Sequence, residues 1–152
     1  MTRADVVRYA LSAAVCLASA CGPPSTAAPR DRSAQARPIL EAVLRYELAQ
    51  FASPRAPDEV TCAGVAEGAE VHDPDPGLLG RLGSGIKARS ACGATPAALV
   101  IAGPIEWSSD GEARVKGSFT PPVKAAVRSE YRVVWEAGGW SCLGPVMGYD
   151  PL

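Results

Sequence analysis

Residues 112–119, EARVKGSF, alternate without a fault. Glu112, Arg114, Lys116 and Ser118 fall on one side; Ala113, Val115, Gly117 and Phe119 fall on the other. Period two over eight residues predicts a strand with one wet and one buried face. That buried face needs a cover, and the rest of the sequence is read for one. The pattern also has neighbours. Residues 98–107, ALVIAGPIEW, form an apolar run that Gly103-Pro104 should bend or bulge. Ser108-Ser109-Asp110-Gly111 signals a hairpin between the two segments. After the break at Thr120-Pro121-Pro122, residues 129–136, SEYRVVWE, put Tyr131, Val133 and Trp135 on one face. Gly138-Gly139 predicts a further hairpin, and 140–147, WSCLGPVM, returns.

The cover is predicted upstream. In PILEAVLRYELAQF, Leu40, Leu44, Leu48 and Phe51 follow spacings of four, four and three, and Ile39, Val43 and Tyr46 widen the stripe. Pro38 suits a first-turn position. Ser53-Pro54 ends the pattern, because the residue before proline avoids the helical region. Residues 58–65 read as a short strand. Asp75 in DPDPG is placed to cap a short helix over 76–82. Helix, strand, short helix and four strands define an α+β domain, with an N-terminal amphipathic helix packed on a curved antiparallel sheet. The layout resembles the cystatin-like and NTF2-like arrangements, although no motif carries that resemblance.

The first thirty-seven residues differ in kind. Residues 1–8 carry Arg3 and Arg8 against Asp5, and ten of residues 9–20 are apolar. A basic start, a short apolar core and small residues before a junction are the layout of a secretory signal. Twelve helical residues reach only ~18 Å, against a hydrocarbon core of ~30 Å, so this segment is not expected to span a membrane. Leu17-Ala18-Ser19-Ala20-Cys21 resembles the lipobox of bacterial lipoproteins, with Ala18 standing where Leu is commonest. The resemblance implies that Cys21 takes a diacylglycerol, that residues 1–20 are removed, and that the new amino terminus is acylated, palmitate being a typical chain. Two or three chains, at about 0.8 kcal/mol per buried CH₂, anchor a protein firmly. An ordinary signal peptide cut after Ala18-Ser19-Ala20 is the alternative. Residues 21–37 then form a disordered Pro/Ala/Ser-rich tether, and 38–152 a single domain. With no Asp after Cys21, an outer-membrane destination is implied if the cell has one; otherwise the protein sits on the outer face of the inner membrane.

Export sets the chemistry expected of the cysteines. Cys16 leaves with the signal and Cys21 is lipidated, which leaves Cys62, Cys92 and Cys142. Three single pairings are open. Cys62–Cys92 is preferred, because the two flank the Pro- and Gly-rich stretch 66–91, which has few apolar residues to fix it. Cys142, on the same strand face as Trp140, reads as a small buried hydrophobe.

Little else in the sequence points to reaction chemistry. His72 is the single histidine, set in GAEVHDPDP with Glu70, Asp73 and Asp75, but no CxxC or EF-hand spacing accompanies it. A solvated loop is the simpler reading of that cluster than a metal site. The sequence has no GxSxG elbow, and Gly83-Ser84-Gly85 is too short for a phosphate loop. No catalytic, cofactor or metal residues are therefore assigned. Residues 38–152 hold ten Lys or Arg against fourteen Asp or Glu, a charge of −4, which argues against nucleic acid as a partner. The sequence thus predicts a membrane-anchored envelope lipoprotein with a non-catalytic binding or structural domain. Its partner would be an envelope protein or a small ligand. One alternative is a small-ligand carrier with a pocket between helix and sheet. Another is a hydrolase-like enzyme using His72.

Overall fold

The computed structural model describes residues 30–51, 60–93, 98–122 and 125–146. Cys21 and the signal-like segment lie outside them, as do Ser53-Pro54 and Asp58-Glu59. The architecture is α+β: two helices and a seven-stranded, mostly antiparallel open sheet. In chain order the elements are α1 (Arg32–Phe51), β1 (Thr61–Glu67), β2 (Glu70–His72), α2 (Pro76–Leu82), β3 (Ile86–Ala88), a 3₁₀ turn (Arg89–Cys92), β4 (Ala98–Ser109), β5 (Glu112–Thr120), β6 (Val127–Glu136) and β7 (Gly139–Pro145).

α1 begins six residues before Pro38, inside the segment read as tether. Asp31 caps it: its Oδ1 accepts from the backbone N–H of Ser33 (3.1 Å) and Ala34 (3.3 Å) and from the Ser33 hydroxyl (2.7 Å). Residues 32–37 have no apolar stripe, and side-chain contacts hold them instead. The Trp140 Nε1–H donates to Gln35 Oε1 at 2.9 Å. The Arg32 guanidinium lies 5.3 Å from the Trp107 ring centre and pairs with Asp110 at 3.4 Å. Trp107, Trp140 and Trp135 meet edge to face, each contact 5.7 Å between centres. Pro38 is therefore interior to the helix rather than at its first turn. It leaves the Ala34 carbonyl without its usual i+4 donor.

The sheet runs β2-β1-β4-β5-β6-β7, and β3 also pairs with β1. β4 to β7 form the antiparallel meander that the alternation predicts. β1 departs from it. It lies parallel to β4 (Thr61 opposite Ala98, Val65 opposite Ala102), and its other side is shared by parallel β3 and antiparallel β2. The pairing of β4 with β5 slips at Gly103-Pro104. There a Cβ on Gly103, at φ +112°, would overlap the Ala66 carbonyl oxygen. The last hairpin turns at Ala137-Gly138, one residue earlier than predicted, with φ of 51° and 81°. Two successive positive φ values give the twist that a two-residue hairpin needs.

One apolar cluster joins these elements. Ile39, Val43 and Leu44 of α1 are fully buried in it with Val100 of β4, Val115 of β5 and Val133 of β6. Phe51 stacks on Phe119 with ring centres 4.5 Å apart, and Tyr46 meets Tyr131 at 5.6 Å. The charged side of β5 behaves as its sequence dictates. Arg114 pairs with Glu130 (3.1 Å), Arg132 forks Glu112 (two contacts of 3.0 Å), and Lys116 pairs with Glu106 (3.1 Å).

Candidate functional site

The residues singled out around His72 gather at one corner of the domain. β1 turns at Gly68, with φ +63°, into the three residues of β2. Asp73 follows and accepts from the Ser90 backbone N–H (2.8 Å) and hydroxyl, drawing the 3₁₀ turn against the end of β2. Those bonds, the hydroxyl's first, hold the Asp73 carboxyl below the usual carboxylate range. Arg89 donates to the Val71 carbonyl at 2.9 Å. Cys62 and Cys92 are joined as a disulfide, with Cα atoms 6.4 Å apart, so the 3₁₀ turn is tied covalently to β1. Asp75 caps α2, its Oδ1 accepting from the N–H groups of Gly77 and Leu78 at 3.0 Å each. Its Oδ2 also pairs with Arg37 of α1 at 2.9 Å.

These contacts frame an open groove of about 380 Å³. Ser33, Arg37 and Leu40 of α1 form one wall, Val65 and Glu67 of β1 the floor, and Leu78 with the His72–Asp75 segment the other wall. The volume is at the small end of the range for small-molecule sites, and the lining mixes apolar surface with a few polar groups. His72 lies 3.5 Å from Glu70 and is about half exposed. Ser33 shares the groove, but its hydroxyl donates to Asp31. Asp73 is engaged by Ser90, and Asp75 by α2 and Arg37. Among the described residues no three His, Cys, Asp or Glu side chains converge as metal ligands would.

A second feature has no motif to mark it in the sequence. Glu47 is fully buried within the apolar cluster. Neither of its carboxyl oxygens has a hydrogen bond of regular geometry, although the Tyr131 hydroxyl is close enough to interact with it. Gly117 of β5 makes the space: a Cβ there would stand 2.5 Å from Glu47 Oε1 and 2.6 Å from the Tyr131 ring. Burial disfavours the charged carboxylate and pushes Glu47 up to about 8. The Tyr131 phenol is raised as well, by its own burial and then by the neighbouring Glu47 charge. Burial also pushes the half-buried Cys142 thiol up to about 11, so at neutral pH it is a poor nucleophile. The signal for Glu47 was its position. It lies three and four residues after Leu44 and Val43, inside the helix's apolar stripe.

No protein-family model, curated protein or solved structure matches this chain.

Proposed function

We propose that this chain is a lipid-anchored protein of the bacterial envelope whose α+β domain binds a partner or small ligand without catalysing a reaction. The observation that carries the proposal is Leu17-Ala18-Ser19-Ala20-Cys21, placed directly after a basic start and a short apolar run. The Cys62–Cys92 disulfide supports it, because such bridges persist in oxidising compartments outside the cytoplasm. The start of α1 at Arg32 sets the reach such an anchor would allow. Eleven residue steps separate Cys21 from Arg32, at most about 40 Å when extended, which keeps the domain close to the bilayer. The cystatin-like or NTF2-like wrap of a curved sheet around α1 belongs to the same proposal. The cluster shared by α1 and β4 to β6 favours it.

The groove beside His72 favours binding over hydrolysis. Ser33, Asp73 and Asp75 are each held in contacts that shape the groove, whereas a nucleophile–base pair needs a free hydroxyl within reach of the imidazole. The test is fractionation of cells expressing the full chain or its Cys21→Ala variant. The parent chain is expected with the membranes and the variant in the soluble fraction. Membrane retention of the variant would refute the anchor.

A further inference from the structure

The face of the sheet opposite the apolar cluster carries a second groove, of about 370 Å³. Its composition is unlike that of the domain around it. The domain is acidic overall, yet none of the residues lining this groove is acidic, and two, Lys116 and Arg128, are basic. Strand register places Ile101, Ser118 and Arg128 opposite one another in a single row across β4, β5 and β6. They share the face that alternates with the core-facing Gly117 and Phe119. Val71 and Pro104 extend the row as an apolar wall towards β2.

The charges here are not equivalent. In the adjoining rows Glu106 is held by Lys116 and Glu130 by Arg114. Arg128 has no ion pair or hydrogen bond to any described residue. Its guanidinium offers a planar fork of donors, with the Ser118 hydroxyl beside it as a further donor and Ile101 as the start of an apolar strip. A fork and a hydroxyl at one end of an apolar strip match a single carboxylate carrying a short hydrocarbon body. We infer that this groove binds a small amphiphilic carboxylate, with Arg128 and Ser118 on the carboxylate and Ile101, Val71 and Pro104 along the chain. The inference is independent of the lipid anchor and of the groove beside His72.

The test is amide chemical-shift titration of the full chain, carrying Cys21→Ala for solubility, with hexanoate, hexanol and acetate. Hexanoate is expected to give saturable shifts at Ile101, Ser118 and Arg128, with a Kd in the millimolar range or tighter. Hexanol lacks the charge and acetate lacks the chain, so each should bind at least about fivefold more weakly. Arg128→Gln should weaken hexanoate about tenfold, as expected for loss of a charge-assisted fork. This residue is exposed and has no ion pair or hydrogen bond to a described residue, so the fold should survive the change. Ser118→Ala should weaken it less, and Arg132→Gln, outside the groove, should leave it unchanged. Absence of saturable shifts, hexanol binding as tightly as hexanoate, or an unchanged affinity in Arg128→Gln would each overturn the assignment.

Discussion

Glu47 makes the stability of this domain depend on pH in the neutral range, in a direction opposite to that of the surface carboxylates. Its folded value of about 8 lies above the 4.5 of an unperturbed carboxyl. The folded state therefore keeps a proton that the unfolded chain gives up as pH rises through 4.5. Stability is full below pH 4.5, falls by about 1.4 kcal/mol per pH unit above it, and levels off once pH passes 8. Integrated over the window the loss is roughly 5 kcal/mol, of which about 3–4 falls between pH 5 and pH 8. That is a large share of the ~5–15 kcal/mol by which domains are stable. Neither neighbour interferes, because burial raises both the Cys142 thiol and the Tyr131 phenol, further from the neutral range. The perturbation is Glu47→Gln, which keeps the shape and removes the titration. Urea unfolding, followed by the fluorescence of the Trp107–Trp140–Trp135 cluster, would be run on both proteins from pH 5 to pH 8. The absolute stability of the variant is not the readout, since a buried amide has its own unmet partners. The readout is the slope difference: the parent should lose about 3–4 kcal/mol more than the variant across the range. Parallel curves would refute the buried, protonated carboxyl.

Two other predictions concern stability. Replacing Cys62 and Cys92 together by Ala opens a loop with a sequence separation of 30 residues and should lower stability by roughly 3.5 kcal/mol in denaturant titrations; a loss below about 1 kcal/mol would contradict that role. Ala137→Asn places an Asn-Gly pair where two positive φ values are needed and should raise stability by about 1 kcal/mol. An unchanged unfolding midpoint would show that φ +51° costs alanine nothing at this turn.

The legible parts of the fold were those with local signals. α2 occupies the predicted residues because Asp75 and Pro76 mark its start and Gly83 its end. β4 and β5 follow from apolar content and alternation, and their slip falls at the Gly103-Pro104 that announced it. What was missed depends on partners distant in sequence. β2 and β3 are three residues each, too short to display a period. The parallel pairing of β1 with β4 leaves no mark in either strand. Residues 32–37 look like a linker, because their helix is held by a cap and by tryptophans distant in sequence, Trp140 being 105 residues from Gln35. The site follows the same rule. The Cys62–Cys92 bridge was legible from two cysteines flanking an apolar-poor stretch. The engagement of Asp73 by Ser90 and the room that Gly117 leaves for Glu47 were not, since each is a tertiary contact.

The two borders of the sheet differ from its middle. On one side the outer partners of β1 are β2 and β3, two strands of three residues each rather than one long one. On the other side β7 is interrupted, with Gly144 at φ +108° next to a register slip and Pro145 beyond it. Among the described residues neither border offers a long, regular row of unpaired N–H and C=O groups to a second chain, which is how natural sheets avoid edge-to-edge association. Under the proposed lipid anchor, copies held within about 40 Å of a bilayer would meet at far higher local concentration than in free solution. Were the proposed anchor to gather copies of this domain on a bilayer, such borders would let them collide repeatedly without zipping into a shared sheet.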